Sequence, residues 1–396
     1  MLTLEMIQDA QEALRGIARR TPLESAPKIG DNLYIKAENL QLTGAFKLRG
    51  AYNKIRSLTP GEAAKGVIAC SAGNHAQGIA LSATKLGIKS IICMPAGAPI
   101  SKVEATKNYG AEVVLVPGVY DDAAAEAERL TKEHGYTFAH PFNDEYVMAG
   151  QGTIGLEILE QLPEVDQVVC PIGGGGLISG IAVAIKSLKP ECKVIGVQAA
   201  KVPSMYESRK NGKITTIPDG NTIADGIHVL TPGEKTFEIC SKYVDEIVTV
   251  TEDEIAAAIL ALLEGQKTVA EGAGATPVAA CMFGKVDTTD KKTVCVVSGG
   301  NVDVTTLNRI INRGLTKSGR LAEISVRIDD KPGALTSMLQ VVADCGGNIV
   351  KIHHNRLKQD TVNSCVVSMT METRNEEHVT AIETALTEKG YSLLEK

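Results

Sequence analysis

Short apolar runs alternate with longer amphipathic segments from about residue 65 to residue 300. The apolar runs are rich in β-branched residues and carry few polar positions, which is typical of strands buried on both faces. The segments between them have apolar residues at helical spacing. The predicted strands are residues 67–70, 90–94, 111–116, 167–172, 193–198 and 292–298. Repeated strand–helix–strand units predict an α/β fold with doubly wound, mostly parallel sheets.

The pattern changes after Gly314, where the chain predicts strand, helix, strand, strand, helix and strand in turn. This order is that of a ferredoxin-like βαββαβ unit of about 75 residues. The polar stretch NRGLTKSG, residues 312–319, is the expected link between the two parts. We therefore expect a first domain over residues 1–315 and a second over 316–396.

Composition narrows the function classes. The 396 residues include 41 Lys and Arg against 47 Asp and Glu, no Trp and 4% aromatics, which argues against a nucleic-acid partner. No apolar run approaches the roughly 18 residues of a membrane span, and residues 1–10 lack a signal-type apolar core, so a cytoplasmic protein with no membrane partner is expected. Nine cysteines without a CxxC predict neither a disulfide scaffold nor a metal site. Small molecules are the expected partners.

Lys47 is the candidate nucleophile. It lies in TGAFKLRGA, residues 43–51, a turn of small residues at the start of a helical pattern. A lysine forms a Schiff base only when part of its population is neutral, which burial or a helix N-terminus favours. The alternative is a solvated lysine at a helix start, which this segment alone does not exclude.

A second loop, SAGNHAQG, lies where the strand 67–70 stops and a helical pattern begins. Backbone N–H groups and short polar side chains at a helix N-terminus suit an anionic group such as a carboxylate. The residues in question are Ser71, Ala72, Gly73, Asn74 and His75. Simple helix capping is the alternative. His75 has no partner at metal-ligand spacing and is interpreted as a packing residue at the helix start.

Four consecutive glycines follow the strand 167–172 and open a helical pattern. They are Gly173, Gly174, Gly175 and Gly176. Such a run costs backbone entropy, and its successive N–H groups can wrap a phosphate at the helix dipole. Ile178 and Ser179 stand where the dinucleotide fingerprint GxGxxG needs glycine, so a nicotinamide cofactor is not favoured. A tight turn without a ligand is the alternative.

Ser298 lies in VVSGGN, residues 296–301, at the end of the last predicted strand of the first domain. Its hydroxyl is suited to a heteroaromatic nitrogen that need not be protonated, whereas an aspartate would hold the ring protonated. An ordinary turn at the strand end is the alternative.

The order of these loops resembles the pyridoxal-phosphate enzymes of the tryptophan-synthase-β type, and among them the threonine dehydratases. The motifs TGAFKLRGA, SAGNHAQG, PIGGGGLISG, TIADGIHV, TVTEDEI, EGAGA and VVSGGN carry the resemblance over nearly all of residues 5–315. It implies pyridoxal 5'-phosphate as cofactor and two catalytic subdomains, the smaller one spanning roughly residues 45–150. It also implies β-elimination of the hydroxyl group of L-threonine or L-serine, after which hydrolysis releases ammonia and gives 2-oxobutanoate or pyruvate, respectively.

The resemblance also implies roles for the loops. Lys47 holds the cofactor as a Schiff base, Phe46 packs near its ring, and Asn74 meets the ring hydroxyl. The loop from Ser71 to His75 takes the substrate carboxylate, the glycines take the phosphate, and Ser298 takes the ring nitrogen. The resemblance also places the carboxylate of Glu271, in EGAGA, near the cofactor ring. The alternative is that Glu271 is only a favourable negative charge at the start of a helix.

Two departures from related serine racemases are informative. Those enzymes resemble this chain but have a second serine, which serves as a base, where Ala72 stands here. They also have acidic ligands for a divalent ion at the positions that align with Gln198 and Ser204. We therefore expect neither racemisation nor a divalent metal at this site.

The second domain resembles an ACT regulatory domain, with the loops DKPGAL and GGNI facing an amino-acid effector. The candidate regulatory residues are Asp330, Pro332, Gly333, Ala334, Leu335, Asn348 and Ile349. The family suggests isoleucine or valine as effector, and forms that respond to neither also occur. ACT units commonly pair through their sheets, so a homodimer or homotetramer is expected. His353 and His354 are expected to be solvated on a strand of this domain.

Three other functions are considered. A β-replacement synthase of the cysteine-synthase kind would have the same fold, but SAGNH and TIADG are more similar to the dehydratases. An amino-acid sensor with an inactive first domain is disfavoured because Lys47, Ser298 and all four glycines are retained. A nicotinamide oxidoreductase lacks its fingerprint.

Overall fold

The computed structural model describes residues 1–356 and 363–394. The chain separates into two compact units, Met1–Val304 and Thr305–Lys396. The stretch 312–319, expected as a polar link, instead lies mostly within a helix, Val304–Lys317, in which Ile310 and Gly314 are buried. The division between units thus falls at the start of this helix, because its apolar positions give it a buried face rather than the character of a linker.

The first unit contains ten strands and twelve α-helices in the part of the chain that the structure describes. The strands are β1 (Leu23–Ser25), β2 (Leu33–Ala37), β3 (Val67–Cys70), β4 (Ser90–Pro95), β5 (Glu112–Val116), β6 (Thr137–Phe138), β7 (Gln167–Pro171), β8 (Lys193–Ala199), β9 (Glu246–Val250) and β10 (Thr293–Val297). The helices are α1 (Leu4–Ala13), α2 (Lys47–Arg56), α3 (Pro60–Lys65), α4 (Asn74–Lys85), α5 (Ile100–Asn108), α6 (Tyr120–His134), α7 (Glu145–Gln161), α8 (Gly176–Leu188), α9 (Ser204–Asn211), α10 (Glu234–Tyr243), α11 (Glu252–Ala261) and α12 (Gly272–Met282).

Two sheets organise this unit. One has six strands in the order β1-β2-β10-β7-β8-β9, and the other has four in the order β5-β4-β3-β6. All pairs are parallel except β1 with β2. The predicted fold of doubly wound, mostly parallel sheets is therefore confirmed. The four-stranded sheet is built entirely from residues 67–138, inside the predicted smaller subdomain.

Helix α7 lies against the two helices that begin at the predicted nucleophile and at the glycine run. A Cβ at Gly180 of α8 would lie 2.2 Å from the carbonyl oxygen of Met148, and one at Gly50 of α2 would lie 2.6 Å from that of Val147. Only glycine allows backbones this close. Asp144 begins α7 by accepting hydrogen bonds from the backbone N–H groups of Tyr146 and Val147. The helix starts at the site are thus fixed against one another.

A buried network of ion pairs surrounds Arg49, in the first turn of α2. The guanidinium of Arg49 donates to Glu38 at 2.7 and 2.8 Å and to Glu157 at 2.6 and 3.0 Å. The amine of Lys36 also contacts Glu157, at 2.5 Å. Two cations and two carboxylates therefore balance each other inside the unit, where an unpaired charge would be costly.

The second unit is an antiparallel sheet covered by helices. Its elements are α13 (Val304–Lys317), β11 (Leu321–Asp329), α14 (Ala334–Asp344), β12 (Asn348–Asn355), β13 (Ser364–Glu372), α15 (Glu376–Glu388) and β14 (Ser392–Leu394). The strand order is β12-β13-β11-β14. Alternate residues of β13 are buried, Cys365 and Val367 among them, as expected for a sheet with one covered face. The predicted ferredoxin-like βαββαβ arrangement is confirmed.

Among the residues that the structure describes, none of the helices combines the length and apolar character needed to span a membrane.

Candidate active site

The amine of Lys47 lies among buried groups at the first residue of α2. Its Nζ donates a hydrogen bond to the carbonyl oxygen of Pro141 at 2.7 Å and lies 5.3 Å from the centre of the Phe46 ring. Burial lowers the pKa of Lys47 to about 8, and the carboxylate of Glu271 partly opposes that shift. With this pKa, roughly one-tenth of the amine is neutral at pH 7, and a nucleophile or base requires that neutral form.

The segment before Lys47 pairs with the segment that follows β10. Ala45 and Gly299 form an antiparallel bridge, and the backbone N–H of Phe46 donates to the carbonyl oxygen of Ser298 at 3.0 Å. Ser298 is buried, with 2% of its surface exposed. The structure therefore brings together the first and last of the predicted site loops, although about 250 residues separate them in the chain.

Asn74, the first residue of α4, is held between two side chains. Its Nδ2 donates to both carboxylate oxygens of Glu271, at 2.8 and 3.1 Å, and its Oδ1 accepts from Asn301 at 2.8 Å. Asn301 also donates to the carbonyl oxygen of Thr43 at 2.7 Å, so the group reaches the segment that carries Lys47. Burial raises the pKa of Glu271 to about 7, although the hydrogen bonds from Asn74 oppose that rise.

The glycine run is crowded by residues from four other places in the chain, at Phe142, Met205, Ile227 and Thr236. A Cβ at Gly174 would lie 2.4 Å from the Phe142 ring, and one at Gly173 would lie 3.0 Å from the Ile227 backbone. Gly175 has φ of +94°, a conformation that favours glycine. The first hydrogen bond of α8 runs from the backbone N–H of Ser179 to the carbonyl oxygen of Gly175. The backbone N–H groups that precede Ser179 therefore have no acceptor within the helix.

Pro141 and Phe142 connect the amine with the glycine run. The carbonyl of Pro141 accepts from Lys47, and Phe142 contacts Gly174 and Gly176. This turn is itself fixed by His140, whose Nδ1 accepts from the backbone N–H groups of Phe142 and Asn143 at 3.2 and 2.8 Å. Burial lowers the pKa of His140 to about 4, with the charge of Lys47 adding to the shift.

The loop before α4 supplies backbone groups and one buried imidazole. The hydroxyl of Ser71 accepts from the backbone N–H of Gly73 at 3.2 Å, while Ala72 has only a methyl group. His75 donates from Nε2 to the carbonyl of Ala139 at 2.8 Å, and its buried Nδ1 has no hydrogen-bond partner among the described residues. Burial and the Lys47 charge lower the pKa of His75 to about 3, so its ring is neutral.

Every predicted site residue of the first unit therefore lies on one of these converging loops. Four further residues were not singled out from the sequence: His140, Pro141, Phe142 and Asn301. The stretch HPFND follows only a two-residue strand, which is too short to give a periodic signal. Asn301 ends the motif VVSGGN, which also contains Ser298. Its polar side chain, close to a predicted strand end, is the signal in the sequence that could have identified it.

The predicted regulatory residues lie in the second unit. Asp330 pairs with Arg356 at 3.1 Å, and Pro332 and Gly333 form the turn before α14, with φ of +84° at Gly333. Asn348 donates to Glu372 at 2.7 Å. The remaining three, Ala334, Leu335 and Ile349, are half-buried against the core of this unit.

These features fit the expected cofactor. The site has one amine of lowered pKa for its aldehyde and a run of free N–H groups at a helix N-terminus for its phosphate. A side chain on any of the four glycines would enter space that Ile227, Phe142, Met205 or Thr236 already occupies. Buried Ser298 and half-buried Asn74, which is paired with buried Glu271, provide polar groups for a heteroaromatic ring.

Comparison with known proteins agrees with this geometry. Residues 14–300 match the family of pyridoxal-phosphate dependent enzymes. The L-threonine ammonia-lyase of Thermotoga maritima is 50% identical over 398 aligned residues, with 99% of each chain covered. The processed form of threonine deaminase isoform 2 from Solanum lycopersicum has a TM-score of 0.74 at 38% identity, covering 78% of this chain and 93% of that one. Maize serine racemase has a TM-score of 0.75 at 35% identity, covering 80% and 98% respectively.

Proposed function

This chain belongs to the pyridoxal-phosphate dependent enzymes, and we propose that it is an L-threonine ammonia-lyase that converts L-threonine to 2-oxobutanoate and ammonia. We infer that L-serine is a second substrate, giving pyruvate. The relative of Thermotoga maritima supports this, since it carries that name and its likeness extends over 99% of both chains. The observation that carries the proposal is the amine of Lys47, whose pKa is lowered to about 8 and which contacts Pro141, the neighbour of the Phe142 that packs at the glycine run.

Pyridoxal phosphate, when bound, supplies a conjugated ring that stabilises negative charge at the substrate α-carbon. Lys47 would hold it, and the N–H groups of Gly173 to Gly176 would hold its phosphate. Asn74 and Ser298 would contact the ring substituents, and Phe46 would pack beside it. The loop from Ser71 to His75 would receive the substrate carboxylate at the N-terminus of α4, where backbone N–H groups and the helix dipole favour an anion.

Lys47 would also move the proton. An amine with a pKa of about 8 is roughly one-tenth neutral at pH 7, so it can accept the α-proton of the substrate and return a proton later. His75 and His140 are disfavoured as proton carriers because burial keeps the pKa of each ring well below neutrality. The fixed contact with Pro141 would orient the amine within reach of one face of the substrate.

The family also includes racemases, and one position distinguishes the two reactions. Racemisation needs a second base on the opposite face of the α-carbon, and the methyl group of Ala72 cannot serve as one. Elimination needs only the single base that Lys47 supplies. We therefore propose elimination as the reaction, with no divalent metal at Gln198 or Ser204.

The second unit is proposed to be an ACT regulatory domain that responds to an amino acid, with isoleucine and valine as the first candidates. Its confirmed βαββαβ fold and the predicted loops at Asp330–Leu335 and Asn348–Ile349 support this. We further propose a homodimer or homotetramer. In such an assembly an effector can alter activity by binding one arrangement of the subunits more tightly than another. A cytoplasmic location is proposed as well, since all nine cysteines are free thiols.

A product assay tests the proposed function. The purified protein with added cofactor should form 2-oxobutanoate from L-threonine and pyruvate from L-serine, with ammonia in equal amount and no D-serine. A Lys54→Ala variant changes another lysine of α2 and should remain active, whereas Lys47→Ala should lose activity. Formation of D-serine without a 2-oxo acid would overturn the proposal. Repeating the assay with isoleucine or valine tests the proposed regulation.

A further inference from the structure

Three metal-ligating side chains come together at one end of the second unit's sheet. Cys365 lies on β13 opposite Ile328 of β11, and His354 lies on β12 opposite Val367 of β13. Directly opposed residues share a face, and residues two apart on a strand point to the same side. His354 and Cys365 therefore share one face of the sheet.

Asp330 completes the group. It directly follows β11, and its backbone N–H donates to the carbonyl oxygen of Asn363 at 3.0 Å, which holds it at the same end of the sheet. The ligand atoms of Asp330, His354 and Cys365 all lie within 4.8 Å of one another, and the His354 Nε2 and Cys365 Sγ are 3.0 Å apart. Cys365 is buried, whereas the other two residues are exposed, so the group lies where the core of this unit meets solvent.

We propose that Asp330, His354 and Cys365 bind a borderline-soft divalent cation of the Zn²⁺ class, with one coordination position left open. A sulfur, a nitrogen and an oxygen ligand converging on one point suit zinc, and they do not suit magnesium or calcium, which prefer oxygen ligands throughout. The thiol loses its proton to solvent on binding. The thiolate and the carboxylate then balance the two positive charges of the ion, and the imidazole binds as a neutral ligand.

Arg356 would position the carboxylate rather than compete for it. Its Nη2 contacts Oδ1 of Asp330 at 3.1 Å. A carboxylate has two oxygens with several lone pairs, so Asp330 can accept from Arg356 and still bind an ion. Partners of this kind commonly orient metal-bound carboxylates. The bound ion would fix the loop at Asp330, where the predicted effector loop begins, to strands β12 and β13.

The three residues are far apart in the sequence, which is why no ligand spacing predicts a metal site there. His353 provides a matched control, because it neighbours His354 on β12, is also exposed, and lies opposite Ser368 on the other face of the sheet. Cys345 provides a second control as a half-buried thiol of the same unit that lies outside the group.

Titration of the full-length holoenzyme with Co²⁺ tests the proposal. Difference spectra should show a thiolate-to-cobalt charge-transfer band that saturates at one ion per chain and disappears when Zn²⁺ is added. His354→Gln should weaken Co²⁺ binding by about tenfold or more, and Cys365→Ser should abolish the band. His353→Gln and Cys345→Ser should leave both band and affinity unchanged.

Absence of the band in the wild-type protein would overturn the proposal, as would a band that His354→Gln leaves unaltered. His354→Gln changes an exposed side chain, so this variant remains informative even if Cys365→Ser fails to fold. The measurement follows the metal and not the ammonia-lyase reaction, so its outcome is independent of the proposed function.

Discussion

Asn74 and Glu271 form a pair in which the half-buried side-chain amide donates to both oxygens of the buried carboxylate, at 2.8 and 3.1 Å. The pair connects the start of α4 with the start of α12 and lies close enough to Lys47 for its charge to be felt there. Burial raises the pKa of Glu271 to about 7 and lowers that of Lys47 to about 8. An acid and an amine that both titrate near neutral pH therefore lie in one site, as is typical of catalytic centres.

The first prediction concerns rebinding of the cofactor to enzyme from which it has been removed. The neutral form of Lys47 is the nucleophile, so the rate of rebinding should rise with pH and level off above a midpoint near 8. Replacing Glu271 with Gln removes a negative charge that raises the pKa of Lys47, so the midpoint should move to lower pH. Stopped-flow absorbance after addition of pyridoxal phosphate measures the rate across the pH range.

Glu246→Gln is a suitable control for that experiment, because Glu246 is exposed at the start of β9. Its midpoint should match that of the wild-type protein. A midpoint for Glu271→Gln at higher pH than in the wild type would contradict the assignment of these two groups.

The second prediction concerns the glycine run. A Cβ at Gly174 would lie 2.4 to 2.5 Å from three atoms of the Phe142 ring, so Gly174→Ala must displace that ring. Forcing an extra methyl group into a filled space costs about 1–3 kcal/mol. We expect a Kd for pyridoxal phosphate that is about tenfold or more weaker, measured by equilibrium dialysis.

Gly61→Ala is the matched control, since no atom lies within 4 Å of a Cβ there. Its affinity for pyridoxal phosphate should equal that of the wild-type protein. Equal affinities for Gly174→Ala and Gly61→Ala would mean that the run does not approach the cofactor closely.

The third prediction concerns the buried ions that hold α2. Arg49→Met leaves Glu38 and Glu157 with Lys36 as the one remaining cation of the network, so it should lower the free energy of unfolding by about 3–5 kcal/mol. Denaturant titration monitored by circular dichroism measures this loss. Because α2 carries Lys47, folded Arg49→Met protein should also bind the cofactor more weakly.

Arg129→Met tests whether the burial of the ions matters. Arg129 pairs with Glu126 and Glu133 on the exposed side of α6, where water and salt weaken ion pairs. Its unfolding midpoint should be unchanged. A loss of stability as large as that of Arg49→Met would show that burial is not the cause.

The sequence alone indicated those candidate site residues whose loops carry a local signal. The glycine run is visible because few structures justify four glycines in succession, and the segments around Lys47 and Asn74 are visible because small or polar residues precede a helical pattern. The alternation of strands and helices was enough to predict both the parallel sheets of the first unit and the βαββαβ order of the second.

Contacts between distant segments were not predictable in this way. Pro141, in the turn before α7, contacts Lys47 at the start of α2, and α7 packs against α2 at Gly50; a single sequence contains no signal for that pairing. The pairing of Arg49 with Glu38 and Glu157, and the meeting of Asp330, His354 and Cys365, likewise depend on strand order and helix packing. The polar stretch 312–319 was misinterpreted as a link because its buried positions, among them Gly314, are few.

Reduction of the holoenzyme with borohydride, followed by peptide mapping by mass spectrometry, identifies the lysine that holds the cofactor. Reduction makes the bond between a lysine amine and the cofactor aldehyde permanent, so the modified residue can be identified. We expect one pyridoxyl-phosphate adduct per chain, on the peptide that contains Lys47, and none in Lys47→Ala. An adduct on a different lysine of the wild-type protein, with Lys47 unmodified, would contradict this expectation.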